Sequence, residues 1–494
     1  MADEAARAAA HGAPDRWRRL APFLGVVGVG VLLLAFSSPW LAAGFGETHD
    51  GRNGSVWGTV SRSIREDGVV ASKFGGAPRH NDAYANHPPL IVAETVVAEL
   101  VAGEHRIVTR SPAWVGSLVA LALVAWLLVD AGLSRLATVS GVAVAFGSAM
   151  FLVYGSMLDT PVTSVPFALA LLVAWQRARQ DRPWHPAVLG GLSALAVLAG
   201  WQSTALLVAC GAVSVIGTVR RRFPTAQLVA MAVGGACGLA VALSWVAWVY
   251  GSLRPLFDTA GDRRTSLSLA DSLSTQLAYL MDLAPWALAV GVPGIVAALW
   301  RPATRPLAAV TATTVVGYGV VFSEAAEIHD YWSFGVVVPL AIGVAALVQL
   351  LIDRTPAPQR RSAVLLAVAL PAIGLVPTLL RPSDAEEHLR FGLRTPQITA
   401  AAARLAPRDG PALAYLEGAV REDTWIRYET GRPAQVLVDR GALRDLAVAD
   451  PAFPVLVLVD ADTKADLRSA AIATAGPYAV VTASDADRIV RWPR

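Results

Sequence analysis

Long apolar runs fill the chain from residue 21 to about 381, separated by polar joints, and then stop. Runs long enough to cross a hydrocarbon core, or nearly so, fall at 21–43, 112–131, 136–154, 160–176, 186–202, 203–219, 225–250, 284–300, 304–322, 332–352 and 362–380. Since a crossing helix takes about 20 apolar residues, the pattern predicts an all-α polytopic membrane bundle of about 11 transmembrane helices.

The joints between the runs set the sidedness, because Arg gathers in short cytoplasmic loops. With the N-terminus inside, the inner joints hold Arg16, Arg18 and Arg19; Arg135; Arg177, Arg179 and Arg182; Arg220, Arg221 and Arg222; Arg301 and Arg305; and Arg354, Arg360 and Arg361. Every long connection (44–111, 251–283 and all from 382) then lies outside. The first run is too long for a removed signal and lacks a cleavage site, so it reads as a signal anchor. The chain divides into a cytoplasmic tail (1–20), a membrane module (21–381) with first external loop 44–111, and an external part (382–494).

Polarity changes at that last boundary. Residues 382–494 hold 14 of the 41 Lys and Arg and 16 of the 38 Asp and Glu. Short β-rich runs at 412–416, 435–438, 455–459, 478–482 and 488–492 alternate with helical stretches at 443–449 and 464–475, which predicts a C-terminal extracytoplasmic α/β domain. It contains no Gly-rich phosphate loop.

Composition narrows the function classes. The chain is 54% hydrophobic and only 16% charged, well below the roughly one-quarter charged content of soluble domains. A net charge of +3 over 494 residues is no nucleic-acid footprint. Cys210 and Cys237 sit in apolar runs with no His or Cys at ligand spacing, which argues against a disulfide framework, a zinc site or an iron–sulfur site.

The first external loop is polar in a chain that otherwise avoids polarity. It opens with Glu47-Thr48-His49-Asp50-Gly51-Arg52-Asn53-Gly54 and continues through a helix-compatible stretch at 55–66. A passage containing Arg79 leads to Asn86-His87-Pro88-Pro89-Leu90. The stretch 90–101 sets Ile91, Val92, Val96, Val97, Leu100 and Val101 on one face, the spacing of a helix lying in the membrane interface.

Each polar feature also has a bland reading. A polar loop is by default solvated surface, Asp159 before Thr160-Pro161 is first of all an N-cap, and Trp201, Tyr331 and Trp332 suit an interfacial aromatic belt. Convergence outweighs these. With the arginines setting the topology, Asp50, Asp159, Trp201, His329 and Tyr331 are all expected at one membrane surface, and ionisable groups at the rim of a bundle point to a site. Carboxylates beside histidines and arginines there suit a substrate with one end in lipid and a phosphate at the interface.

The ordered features resemble the GT-C class of integral-membrane glycosyltransferases, in the branch of bacterial protein O-mannosyltransferases and the lipid A aminoarabinose transferase. The resemblance rests on several short motifs, which together span nearly the whole chain. They are His49-Asp50 after the first span, His87-Pro88-Pro89-Leu90 later in the loop, Gly103 to Arg110 leading into the second span, and Met157-Leu158-Asp159-Thr160-Pro161 opening the fourth. His329-Asp330-Tyr331-Trp332 precedes a late span, and Tyr428-Glu429-Thr430-Gly431-Arg432-Pro433 lies in the tail. The chain departs from the pattern where Gly51, not Glu, follows Asp50, and where His87 stands in place of a common Lys.

The resemblance implies a bacterial cell-membrane enzyme with a polyprenyl-phosphate-linked sugar as donor and membrane lipids around it. The acceptor hydroxyl would belong to a protein, a glycan or a lipid. It implies in-line displacement with inversion, Asp50 as general base and Asp159 as its neighbour. Arg79, His87, Arg110 and His329, with His49 and Tyr331, are the candidates to hold the donor phosphate. Asp159 and Asp50 together are also candidates to hold a divalent cation, an alternative that the residues leave open. A transporter or flippase is the other class that eleven spans permit. Against it, no span interior carries Asp, Glu, Lys or Arg, the residues that mark midplane transport sites. An O-antigen-ligase-like transferase also uses polyprenyl-linked donors, but its large external loop sits late in the chain.

Overall fold

The computed structural model describes residues 26–38, 41–42, 44–45, 48–78, 83–262, 268–356 and 359–379, and in the C-terminal part 413–416, 428, 434–437, 440–452, 454–458, 470–471, 473–475 and 478–489. Helix α1 (Val26–Ser38) is followed in the polar loop by α2 (His49–Ala71), α3 (Leu90–Ala102) and the one-turn α4 (Arg106–Thr109). α2 begins earlier than the stretch 55–66 suggested, because Thr48 caps it and its hydroxyl accepts the Gly51 N–H at 3.1 Å.

α3 coincides with the expected interfacial stretch, but its faces divide differently. Ile91, Val92, Thr95, Val96 and Glu99 turn inward, and Val97, Leu100 and Val101 are exposed. Glu99 explains the rotation. It accepts hydrogen bonds from Ser61 at 2.5 Å and Thr109 at 2.6 Å, and Arg65 lies 3.1 Å away. A buried carboxylate with such partners outweighs a few exposed valines, since an unpaired one would be far more costly.

From α5 (Ser111–Asp130) the chain is a bundle. α6 (Arg135–Phe146) and α7 (Ala149–Tyr154) share one apolar run split at Gly147 and Ser148, and α8 (Thr160–Thr163) and α9 (Val165–Arg179) share another split at Ser164. There follow α10 (Pro186–Ala199), α11 (Trp201–Val219), α12 (Thr225–Tyr250), α13 (Arg254–Asp262), α14 (Leu269–Leu283) and α15 (Pro285–Trp300). Pro285 opens α15 at a position where its missing N–H costs nothing, and α14 and α15 meet there at 114°. α16 (Arg305–Val321), α17 (Ser323–Ile328), a 3-10 segment (Asp330–Val336), α18 (Val337–Arg354) and α19 (Arg360–Leu379) complete the bundle.

All eleven apolar runs carry helix among the described residues. Among the described residues four segments are long and apolar enough to cross a membrane alone, namely α5, α11, α12 and the continuous Asp330–Arg354 stretch, and the bent α14–α15 pair makes a fifth. Breaks at Gly147–Ser148, Ser164 and Gly200 shorten three of the other runs.

α18 forms the centre, and Val337 through Ala346 are all buried. α15 packs against it so closely that a Cβ on Gly294 would overlap the Gly343 backbone. Small residues allow this approach where lipid supplies no hydrophobic drive between helices. α11 and α12 lie outside and expose Val208, Val215, Val229, Val233 and Val241, as lipid contact requires.

In the C-terminal part, strands β1 (Leu413–Leu416), β2 (Ala434–Leu437), β3 (Pro454–Leu458), β4 (Ala473–Ala475) and β5 (Tyr478–Thr482) form one sheet in the order β2-β1-β3-β5-β4. β1 runs parallel to β2 and β3, whereas β5 is antiparallel to β3 and β4. Helix α20 (Arg440–Ala449) follows β2, and α21 (Ala483–Ile489) follows β5. Two local expectations fail here. Residues 473–475 are strand because they pair with β5, so tertiary pairing overrides local helix preference. Residues 488–489 are helix because Thr482 accepts the Asp485 N–H at 3.1 Å and starts α21.

Replacing Gly294 with Leu should force α15 away from α18 and destabilise the protein by about 1–3 kcal/mol, the usual cost of overpacking. A lowered melting temperature in detergent is the measurement, and an unchanged one would mean that the seam tolerates separation.

Candidate active site

α2 presents two chemically different faces, and each meets a carboxylate. His49, Asn53 and Trp57 recur every four residues and therefore share one face. Asn53 Nδ2 donates to Asp159 Oδ2 at 3.0 Å and to the Tyr331 hydroxyl at 3.1 Å. Asp159 has extended backbone and caps α8, its Oδ1 accepting the Thr160 N–H at 2.7 Å. One oxygen of this carboxylate thus serves the cap, and the other takes Asn53. Burial pushes its pKa up to about 6, against the opposing pull of the Thr160 N–H, Tyr331 and Trp57.

Aromatic and imidazole rings surround this carboxylate. Ring centroids of His49 and Tyr331 are 5.1 Å apart, those of His49 and His329 5.5 Å, and those of His329 and Tyr331 5.1 Å. On the other side His87 Nδ1 lies 3.2 Å from Thr160 Oγ1, and its ring neighbours Tyr84 at 5.9 Å and Trp57 at 6.3 Å. The stretch leading to His87 is tied down from the bundle. Trp201 Nε1 donates to the Asn86 carbonyl at 2.8 Å, and the Tyr250 hydroxyl donates to Asn86 Oδ1 at 3.1 Å.

The adjoining face of α2 carries Asp50, Gly54 and Gly58. Asp50 is buried against Arg110, whose Nη2 donates to Oδ2 at 2.7 Å and whose Nε donates to Oδ2 at 3.0 Å and, at greater length, to Oδ1 at 3.3 Å. Arg110 Nη1 donates to the Leu41 carbonyl at 3.2 Å, and the guanidinium lies 4.2 Å from the Phe45 ring centroid. Gly54 gives the Phe45 ring its seat, since a Cβ there would overlap the ring.

His49, Asp159, His87, His329 and Tyr331 are therefore joined through one chain of contacts, and Asp50 and Arg110 are joined to each other on the neighbouring face. Arg110 is 1% exposed and gives its guanidinium to Asp50 and Leu41, an ion pair that sets it apart from the other described phosphate candidates. Arg79 lies outside the described residues. Among the described residues no group of three or more His, Cys, Asp and Glu converges as a metal site. Asp50 turns to a guanidinium and Asp159 to amide donors, a donor set that does not fit a shared cation. Sequence reading passed over Asn53, Trp57, Tyr84 and Phe45, although the four-residue spacing from His49 through Asn53 to Trp57 was visible.

Compared by sequence, the chain matches no family model and no curated protein. Solved structures do match its shape. ArnT from Cupriavidus metallidurans bound to undecaprenyl phosphate aligns over 93% of this chain and 97% of its own, with TM-score 0.65 and 14% identity. The apo state of ArnT aligns over 98% and 100%, with TM-score 0.63 and 14% identity. The chain has the GT-C fold. The archaeal oligosaccharyltransferase AglB from Archaeoglobus fulgidus, in complex with an inhibitory peptide and a dolichol-phosphate, shares it at TM-score 0.56 and 10% identity, over 90% of this chain and 70% of its own. Within this GT-C fold, both carboxylate centres meet α2, the helix that follows α1.

Asp159 yields a stability prediction. Its folded-state pKa of about 6 exceeds the ordinary 3.8, so the folded protein holds this proton more tightly than the unfolded chain. That contribution is complete below the ordinary value and is lost as pH rises through the folded one. Melting temperature measured between pH 4 and 7 should show this decline, and Asp159→Asn should flatten it. A decline of the same size in the variant would assign it to other groups.

Proposed function

We propose that the protein is an inverting glycosyltransferase. It transfers a sugar from a polyprenyl-phosphate-linked donor to an acceptor hydroxyl at the outer face of a bacterial cell membrane. Eleven spans, a cytoplasmic N-terminus and an external α/β domain over 382–494 belong to the same reading. One observation carries it. A single helix following α1 meets two carboxylate centres on adjoining faces, one paired with Arg110 and one flanked by imidazoles and a tyrosine. The fold is shared with a protein crystallised with undecaprenyl phosphate and another with a dolichol-phosphate, which supports a lipid phosphate as the donor's carrier.

The chemistry follows from charge and geometry. Asp50 takes the proton of the acceptor hydroxyl as its oxygen attacks the anomeric carbon. Oδ2 is engaged by two N–H donors of Arg110 and Oδ1 only by a long contact, so Oδ1 is the proton-accepting atom. The bond from the anomeric carbon to the phosphate oxygen breaks with its electron pair, and the departing phosphate gains charge. His49, His87 and His329 with the Tyr331 hydroxyl supply donors to that charge, the preorganised stabilisation that dominates such transfers. Asp159 holds Asn53 and Tyr331 in place. The cleft lined by Leu169, Leu172, Leu206, Val315 and Val338 offers the apolar wall that a prenyl chain needs. The acceptor is a protein, a glycan or a lipid.

Removing Asp50 as base should slow transfer by about 10²–10⁴-fold, the usual worth of a general base. Asp50→Asn also strands the buried Arg110 charge, a loss that commonly costs about 3–5 kcal/mol. It is therefore measured beside Asp50→Glu, which keeps the charge and displaces the carboxylate by one methylene. Both variants should lose transfer from a polyprenyl-phosphate sugar in membranes, while Asp50→Glu melts near the parent temperature. Full activity in either would sink the base assignment. His329→Ala should raise the donor KM more than the acceptor KM, and equal effects would refute the phosphate role. Mass spectrometry of the lipid-linked sugar consumed by the protein tests the reading as a whole.

A further inference from the structure

We infer that Tyr428 is a positioning residue that holds Arg110 on Asp50, so that the candidate site is complete only with the Tyr428 ring seated on α2.

Tyr428 is 5% exposed and touches both supports of Arg110. Its ring meets Phe45 edge-on, with centroids 4.8 Å apart at 77°, and Phe45 in turn lies under the Arg110 guanidinium at 4.2 Å. Its hydroxyl lies 3.1 Å from the hydroxyl of Thr109, the residue immediately before Arg110. Thr109 donates its own proton to Glu99 at 2.6 Å, so Tyr428 is the donor in that pair. One side chain thus braces the guanidinium from below and the backbone that carries it from the side.

Tyr428 is itself held by α2. Arg62 donates to the Tyr428 carbonyl at 2.9 Å, and its guanidinium lies 4.6 Å from the ring centroid. Arg62 is fixed in turn by its ion pair with Glu104. Gly58 makes the seat, because a Cβ there would overlap the Tyr428 ring. Gly54 and Gly58 are one helical turn apart, so α2 offers a bare strip on which Phe45 and Tyr428 lie side by side. The contacts of Tyr428 with Phe45 and Thr109 both lead to Arg110, so the effect of Tyr428 is on Arg110 and through it on Asp50. The kinetic part of this inference rests on the glycosyltransferase reading, whereas the structural part does not.

The full chain in detergent is treated with phenylglyoxal, which modifies accessible arginines, and labelling is read by mass spectrometry of its peptides. Arg110 should be protected in the parent and in Tyr428→Phe, which keeps the ring. In Tyr428→Ala and in Gly58→Ala, whose new methyl displaces the ring while favouring the helix, Arg110 should label about tenfold faster. Arg177, paired with Asp130 elsewhere in the bundle, should label at the parent rate in all four proteins. Transfer kinetics should show kcat lowered about tenfold or more in the same two variants, with the donor KM within about twofold of the parent. Unchanged Arg110 protection in Tyr428→Ala overturns the inference. Equal acceleration at Arg177 overturns it as well, since Tyr428 would then be a general stabiliser. If the parent transfers no sugar but Arg110 labelling follows Tyr428, the positioning role stands and the proposed reaction fails.

Discussion

The buried pair of Asp50 and Arg110 is the interaction on which the candidate site depends. Two charges removed from water cost several kcal/mol each, and attraction repays this only when geometry is good and remaining donors are satisfied. Here the guanidinium engages both carboxylate oxygens, a backbone carbonyl and an aromatic face. Such a pair adds little to stability compared with an apolar core. It does fix one arrangement of α2 against the start of α5, because a shift of either helix would leave a charge stranded.

Everything else in the candidate site is placed by that fixed helix. Once Asp50 faces Arg110, the period of the helix turns His49, Asn53 and Trp57 toward Asp159, Tyr331 and His87. The partners arrive from distant parts of the chain, Asp159 from the cap of α8 and Tyr331 from the 3-10 segment that leads into α18. The continuous Asp330–Arg354 stretch is the most buried of the single-helix candidate spans among the described residues, so the residues at its start stand on a foundation that cannot easily tilt. Rigid support of this kind keeps donor groups within the tolerances that charge stabilisation requires.

Much of the fold was legible because the apolar runs are long and uninterrupted, and each of the eleven overlaps helix. Length failed where single residues break a run, as Gly147–Ser148 and Ser164 do, since hydropathy does not register a cap. At the site, Asp159, His329 and Tyr331 could be read because each sits at the edge of an apolar run, where polarity stands out. Asn53 could not, because an amide in a polar loop has no contrast and its role depends on which neighbours the helix meets. The pairing of Arg110 with Asp50 was equally hidden. Sequence position suggested a phosphate ligand, whereas in the fold Arg110 also meets Asp50 across 60 positions. The face of α3 was misjudged for a related reason, as valines were counted and the bonds awaiting Glu99 could not be seen.

The seat that α2 provides for Phe45 and Tyr428 has a consequence for the order in which the protein matures. Each glycine in a helix interior costs about 1 kcal/mol relative to alanine, so α2, with Gly54 and Gly58 mid-helix, is a weak helix until the two rings cover it. Phe45 is made just before α2, but the partner of Arg62 lies 366 positions further on. During synthesis residues 26–379 are therefore made before Tyr428 emerges. A chain interrupted between residues 380 and 427 would have its bundle helices and both carboxylates yet lack the closing ring, so synthesis past Tyr428 is the step that finishes the site.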